Sequence, residues 1–276
     1  MTRALVLLAA ALPAVAGAQD WRTLESSRQL AGTDPVGVRV QYGAGNAEIL
    51  PASGAWLYRM SLRYDADRTS PQAAFDEAAR ELRLGTRSAG MSSWKGSQED
   101  PNHLRVELTD RVPLRLAIEL GATRADVQLG GLKLSDLDIR TGATEAHVDV
   151  DRPNTAALAS MSLDVGAADV TVRHGGNLRA TRLAINVGVG GLDYEFDGDW
   201  TGDIDVVLNV ALGKATLRIP AGTGVRVTAS TFLADFGRAG LTRRGDDWVS
   251  PGYDDAPRHV RVEAKAAFGK VDIVRR

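Results

Sequence analysis

Leu116-Ala117-Ile118-Glu119-Leu120-Gly121-Ala122-Thr123-Arg124-Ala125-Asp126-Val127-Gln128-Leu129 decides the architecture. Its apolar side chains alternate on even positions up to Leu120 and on odd positions from Ala125 onward. A strand has a side-chain period of two, so one uninterrupted strand cannot change parity and keep one buried face. An extra residue must be absorbed in a corner or bulge. Gly121 stands where that residue is needed, and glycine takes a positive φ without a Cβ clash.

The slip recurs along the chain. It runs from Val38/Val40/Tyr42 to Ala47/Ile49, from Leu137/Ile139 across Gly142 to Ala146/Val148/Val150, and from Leu163/Val165 across Gly166 to Val170/Val172. Leu183/Ile185/Val187 pass across Gly188, Gly190 and Gly191 to Leu192/Tyr194/Phe196. Leu208/Val210/Leu212 pass across Gly213 to Ala215/Leu217/Ile219, and Val262/Ala264/Ala266/Phe268 across Gly269 to Val271/Ile273. All of these apolar residues are expected to face inward. The glycines at 121, 142, 166, 188, 213 and 237 are 21 to 25 residues apart. Such a period indicates a solenoid or array, and two short strands per unit leave no room for a helix. The expected fold is all-β: a single-chain β-helix or solenoid of stacked two-strand coils with glycine corners and two facing sheets.

Successive units are expected to stack in chain order. Leu132, Leu134, Leu137 and Ile139 carry the inward ladder around a bend at Ser135-Asp136. Thr242–Pro257 is charged and turn-forming and is expected to be a surface loop, after which Val260–Val274 closes the array as its last coil. Arg275 and Arg276 would then blunt the exposed strand edge. Nearer the N-terminus, Tyr58/Met60/Leu62/Tyr64 alternate as a strand. Ser70–Leu84 carries both a helix signal (Ser70 before Pro71, with Phe75, Ala79 and Leu82 on one face) and strand alternation before Gly85; strand–turn–strand is favoured. Gly85–Asn102 is polar and reads as a long loop.

The chain has 276 residues, a formal net charge of −2 and no cysteine. Near-neutral charge gives no strong general attraction to nucleic acid or to an anionic membrane. Arg3, the apolar run Leu5–Val15 and the small-x-small site Ala16-Gly17-Ala18 read as a signal peptide over residues 1–18, with a mature start near Gln19. That run is too short to span a bilayer, and the mature chain has no other long apolar run. Without cysteine there is no lipid-anchor residue and no disulfide. The expected location is periplasmic or secreted.

Few residues suggest chemistry. His103, His147, His174 and His259 lack metal-ligand spacing with one another. Asp197, Asp199, Asp203 and Asp205 around Gly198 and Gly202 could in principle hold calcium, but their spacing is not that of an EF-hand, and Asp-Gly turns are favoured. Gly188-Val189-Gly190-Gly191 is followed by a strand pattern, which argues against a nucleotide loop. Asp149, Asp151 and Arg152 before Pro153-Asn154 could serve a polysaccharide-cleaving β-helix, but a salt-bridged turn accounts for them more simply. Outward positions such as Asp138, Arg140, Asp149, Asn186, Asp193, Glu195, Asn209, Arg261, Glu263 and Lys265 form polar rows, either a solvated face or a binding surface. No catalytic, metal or cofactor residue is expected, and no binding residue is singled out.

Two regions resemble known families. Val40-Gln41-Tyr42-Gly43-Ala44-Gly45, Ala47-Glu48-Ile49, Leu57-Tyr58, Pro71, Phe75-Asp76 and Leu82-Arg83-Leu84-Gly85 resemble the N-terminal region of toast-rack proteins. Leu134-Ser135-Asp136-Leu137-Asp138-Ile139-Arg140-Thr141-Gly142, Val165-Gly166-Ala167-Ala168-Asp169-Val170, Gly188–Gly191 and Leu212-Gly213-Lys214-Ala215-Thr216-Leu217 resemble adhesin-like domains and the C-terminal domain of LiaF, the cell-wall-active antibiotic response protein. The resemblance implies a β-solenoid and carries over no catalytic residue. The membrane helices that precede the LiaF domain are missing here. The expected division is a signal at 1–18, a toast-rack-like region at 19–110 and LiaF/adhesin-like repeats at 111–276, the last two continuous. The expected function is that of an exported, non-enzymatic envelope protein. It would bind or scaffold a glycan, a lipid headgroup or another envelope protein, with envelope stress response as one setting. The alternatives are a carbohydrate-active enzyme and a self-associating structural protein.

Overall fold

The structure is a computed structural model described over residues 20–87, 102–231 and 233–276. The expected signal peptide and most of the expected 85–102 loop lie outside the described residues. No α-helix occurs among the described residues, which form twenty-one strands and two short 3-10 turns.

The N-terminal strands are β1 (Trp21–Gln29), β2 (Val36–Pro51), β3 (Trp56–Asp65), β4 (Pro71–Asp76), β5 (Glu81–Thr86) and β6 (His103–Leu108). The central ones are β7 (Leu114–Gln128), β8 (Leu134–Thr141), β9 (Glu145–Asp149), β10 (Ser160–Val165), β11 (Asp169–Arg173), β12 (Arg182–Val187), β13 (Gly191–Glu195), β14 (Ile204–Val210) and β15 (Lys214–Ile219). The C-terminal ones are β16 (Gly224–Thr231), β17 (Ala234–Gly237), β18 (Thr242–Arg244), β19 (Asp247–Val249), β20 (His259–Ala266) and β21 (Gly269–Arg275).

These strands make two facing sheets. β2 and β7 each bend at a glycine and contribute one half to each sheet. The first sheet runs β4, β5, β2, β7, β8, β10, β12, β14, β20, β16, β19, β18. The second runs β1, β3, β6, β2, β7, β9, β11, β13, β15, β21, β17. Every pair from β5 to β16 in the first sheet and from β6 to β17 in the second is parallel, so each coil stacks about 4.8 Å above the last. The β2–β7 pairing carries this ladder without interruption across residue 110.

Burial follows the parity argument. In β7, Leu114, Leu116, Ile118 and Leu120 are buried, then Thr123, Ala125 and Val127. One core runs the length of the array between the sheets. The bend at Ser135 appears as a register shift between β7 and β8. Ser70–Leu84 resolves as the β4–β5 hairpin. Its turn is held by Asp76, whose Oδ1 accepts hydrogen bonds from the amides of Ala78 and Ala79.

The glycine corners form for a different reason from the one expected. Gly269 has a positive φ of 131°, but Gly121, Gly142, Gly166, Gly188 and Gly213 do not. Their requirement is space. A Cβ at Gly121 would stand 2.2 Å from the Gly43 carbonyl oxygen of the adjacent coil, and one at Gly213 would stand 2.5 Å from that of Gly190. Gly237 is not a corner at all; it ends β17, opposite Asp272.

Two apolar positions expected inside are outside. Leu212 is 61% exposed and Phe268 44% exposed. The alternation is inward as far as Val210 and Ala266, and the next apolar residue steps out at the corner.

Stacking order also departs from chain order. β20 and β21 do not close the array. They lie between the β14/β15 coil and the β16/β17 coil. Arg275 is therefore no edge terminator; it pairs with Ile219 in register. The stretch expected as a surface loop, 242–257, contains the β18–β19 hairpin, which covers the outer edge of β16. At the opposite end, β1 and β3 pair antiparallel, a cap that the sequence reading did not find. Antiparallel strands thus blunt both ends of the first sheet and the N-terminal end of the second.

Candidate functional site

The outward positions of the first sheet align in register across coils, because parallel pairing places equivalent residues side by side. One such row forms a continuous polar chain. Arg39 Nη1 and Gln41 Nε2 donate to Glu119 at 2.7 and 2.6 Å. Arg140 reaches Glu119 at 3.8 Å, Asp138 at 2.6 Å and Asp164 at 3.6 Å. Asn186 Nδ2 donates to Asp164 Oδ1 at 2.7 Å, and Asn209 Nδ2 donates to Asn186 Oδ1 at 2.9 Å. Lys265 follows Asn209 in register, and Ser230 follows Lys265. Burial pushes the Asp138 carboxyl above its ordinary value, against the pull of Arg140.

Where this row meets the glycine corner, the surface opens into a groove of about 840 Å³. Asp164, Asn186, Asn209 and Lys265 line its polar side, and Ala211 and Ala267 its corner side. Amides, a carboxylate and an ammonium at strand spacing form a hydrogen-bonding platform with one uncommon property: the donors and acceptors repeat at a fixed interval. Asn186, Asn209 and Lys265 were legible as outward polar positions. Their concentration beside a corner was not, because it depends on which coil follows which.

Most of the other nominated residues lie elsewhere and are engaged, while His147 is an exposed outward residue of β9. Asp149, at the end of β9, accepts from or shares a proton with His174 Nδ1 at 2.7 Å. Asp151 faces Arg152 at 3.6 Å, and Arg152 donates to the Gly130 carbonyl. Asn154 is buried; its Oδ1 accepts from the Leu134 amide and its Nδ2 donates to the Leu134 carbonyl. The four aspartates at 197–205 disperse: Asp197 to His174, Asp199 to Arg179, Asp203 to His259 and Arg261, and Asp205 to Arg261. Trp200 between them is buried, donates to the Phe196 carbonyl and lies under Arg258. His103 approaches Glu48 at 4.0 Å. Gly191, at the end of the glycine run, starts β13. Among the described residues no group of three or more His, Asp or Glu is placed to hold a metal ion.

His174 has a pH signature. Its hydrogen bond to Asp149, aided by the charges of Asp197, Asp149 and Glu195, raises its pKa above 6.5. A folded pKa above the unfolded one contributes stability that is complete below about pH 6.5 and is lost as pH rises through the folded value. The ring is 42% exposed, so solvent keeps this contribution small. We predict that NMR titration places His174 above 6.5 and that Asp149→Asn lowers it. A titration unchanged by that substitution would refute the assignment.

With this geometry in hand, comparison with known proteins is informative about family. Residues 18–173 match the family described as the N-terminal domain of toast_rack, DUF2154. That span is more than half of the chain, and the protein belongs to this family. No curated protein matches it. Among solved structures, one from Clostridium sporogenes, provisionally named a cell adhesion protein, is similar with a TM-score of 0.47 and 15% identity, over 92% of this chain and 100% of that one. One from Bacteroides fragilis, provisionally named an adhesin, has a TM-score of 0.42 and 11% identity, over 92% and 97%. One from Parabacteroides distasonis, provisionally named a lipid binding protein, has a TM-score of 0.38 and 13% identity, over 91% and 96%.

Proposed function

We propose that this toast-rack protein is an exported, non-enzymatic component of the cell envelope that binds or scaffolds an envelope partner through its outward polar rows. The observation that carries the reading is the ladder from Glu119 to Lys265, ending in an open groove. A rigid two-sheet array holds its surface groups at fixed spacing, so a repetitive ligand meets them at little ordering cost. The export reading rests on the sequence of residues 1–18. Among the described residues no helix is long and apolar enough to cross a membrane. Asp149 and Asp151, the acids a polysaccharide-cleaving enzyme would use, sit at the end of β9 outside the groove and are paired with His174 and Arg152.

The test is retention of the purified protein on immobilised envelope polysaccharides and on isolated envelope membranes, with release of soluble sugar followed in parallel. Retention on at least one support, weakened by Asn186→Ala with Asn209→Ala, is expected. Retention on none would overturn the binding reading, and sugar release would overturn the non-enzymatic one.

A further inference from the structure

The corners that join the first sheet to the second stack into a single edge. Hydrogen bonds between corner backbones hold it: Ala143 N to Gly121 O, Val189 N to Gly166 O, Leu212 N to Gly188 O, Phe268 N to Ala211 O and Leu233 N to Ala267 O, at 2.8 to 3.1 Å. These corner side chains are uncharged, and they are small at one end of the edge and large at the other. Ala143 and Ala167 stand toward the N-terminal end; Val189, Leu212, Phe268 and Leu233 follow. The last four are 57%, 61%, 44% and 70% exposed. Among the described residues they are four of the five large apolar side chains that reach such exposure. Single exposed apolar residues need no explanation, but four in register on one protruding edge do.

We infer that this edge docks on an anionic lipid bilayer, with Leu212, Phe268 and their two neighbours entering the headgroup–acyl boundary. The inference rests on the envelope reading above and names a partner for the same end of the molecule. Shape is the first argument. The tips form a line one residue wide along the stacked corners, and a bilayer admits exposed apolar side chains without a matching groove. Area is the second. Four half-exposed side chains offer on the order of 400 Å², about half of what each partner of a stable protein complex buries.

Charge is the third argument. Lys265 lies three positions before Phe268, Lys270 two after it, and Lys214 two after Leu212; these are three of the five lysines in the chain. Their acidic partners, Glu263 and Asp272, lie one outward position farther from the corner. Lys214 also faces Asp272, at 3.9 Å. The lysines thus stand nearer the corner along their strands than their partners do, and their flexible stems can turn toward anionic headgroups there. Glu145 and Asp169, level with Lys214 in the second sheet, flank the alanine corners instead. Asp235, beside Lys270 on the outermost coil, is the one carboxylate at the apolar end of that row.

Sedimentation of the purified protein with vesicles tests this. Vesicles of equal phosphatidylglycerol and phosphatidylcholine are expected to bind it, and pure phosphatidylcholine to bind it at least tenfold less. Val189→Ser with Leu212→Ser changes two tips that are 57% and 61% exposed and should leave the melting curve in place while lowering binding at least tenfold. Lys214→Gln with Lys270→Gln should lower binding to the anionic vesicles alone. Absence of vesicle binding, or binding indifferent to the serine variant, would overturn the inference. So would a concentration-dependent dimer that the serine variant abolishes, since the edge would then serve a second copy. Retention on polysaccharide without vesicle binding would remove this inference and leave the proposed function standing.

Discussion

Gly121→Val is expected to lower the stability of the fold by about 3 kcal/mol, a fall in melting temperature of roughly 8 °C for a domain of this size. The cause is the approach of the β2 and β7 corners. A Cβ at residue 121 would meet the Gly43 carbonyl oxygen at 2.2 Å and the Gly43 carbonyl carbon at 3.1 Å. Both are backbone atoms, so no side chain can rotate away, and the coils must separate at that point. Gly222→Ala is the control, because an added Cβ there meets nothing within 4 Å and φ is not positive. Thermal unfolding of both variants decides it. If Gly121→Val melts with the wild type, contact between corners is not what demands glycine.

A larger effect is expected from removing residues 258–276. In a serially stacked solenoid, loss of the last coil would expose one end and leave the rest intact. Here β20 and β21 are interior. Val260 and Val262 fill the space between β14 and β16, and Val271 and Ile273 that beside β15. Burying four such side chains is worth roughly 8 kcal/mol at ~2 kcal/mol each, comparable with the whole stability of an ordinary domain. The truncated chain should therefore lose β16 to β19 as well, since the parallel partners of β16 and β17 are gone and the β18–β19 hairpin pairs with β16. Limited proteolysis should cut throughout 220–257 in the truncated protein and spare that stretch in the intact one. Protection of 224–249 after truncation would show that β16 can re-pair with β14, and the argument would fail.

How much of this was readable in the chain is instructive at particular residues. The parity slips at Gly121, Gly142 and Gly166 were sufficient to establish facing sheets, because a period of two admits one inward set for a given corner. Polar outward positions such as Asn186 and Asn209 followed from the same rule. The outward turn of Leu212 and Phe268 did not, since alternation alone continues through them. The signal was in the intervening residues: Ala211 and Ala267 replace the polar outward residue seen one step earlier at Asn209 and Lys265. Coil order was also hidden. Val260–Ile273 carries the same pattern as Ile204–Ile219, and hydrogen bonds between parallel backbones do not depend on which coil came first. The φ angles at the corners were misjudged because a glycine needed for proximity and one needed for handedness look identical in sequence.

The placement of β2 between the β5/β6 coil and β7 has a further consequence. Both termini of the array are interlaced, with an early segment held inside one end and the final segment inside the other. Only from residue 114 to residue 219 does position along the polypeptide match position along the stack. Adding or removing a whole coil is therefore topologically simple only in that middle tract, since at either end it would have to part strands that are interleaved.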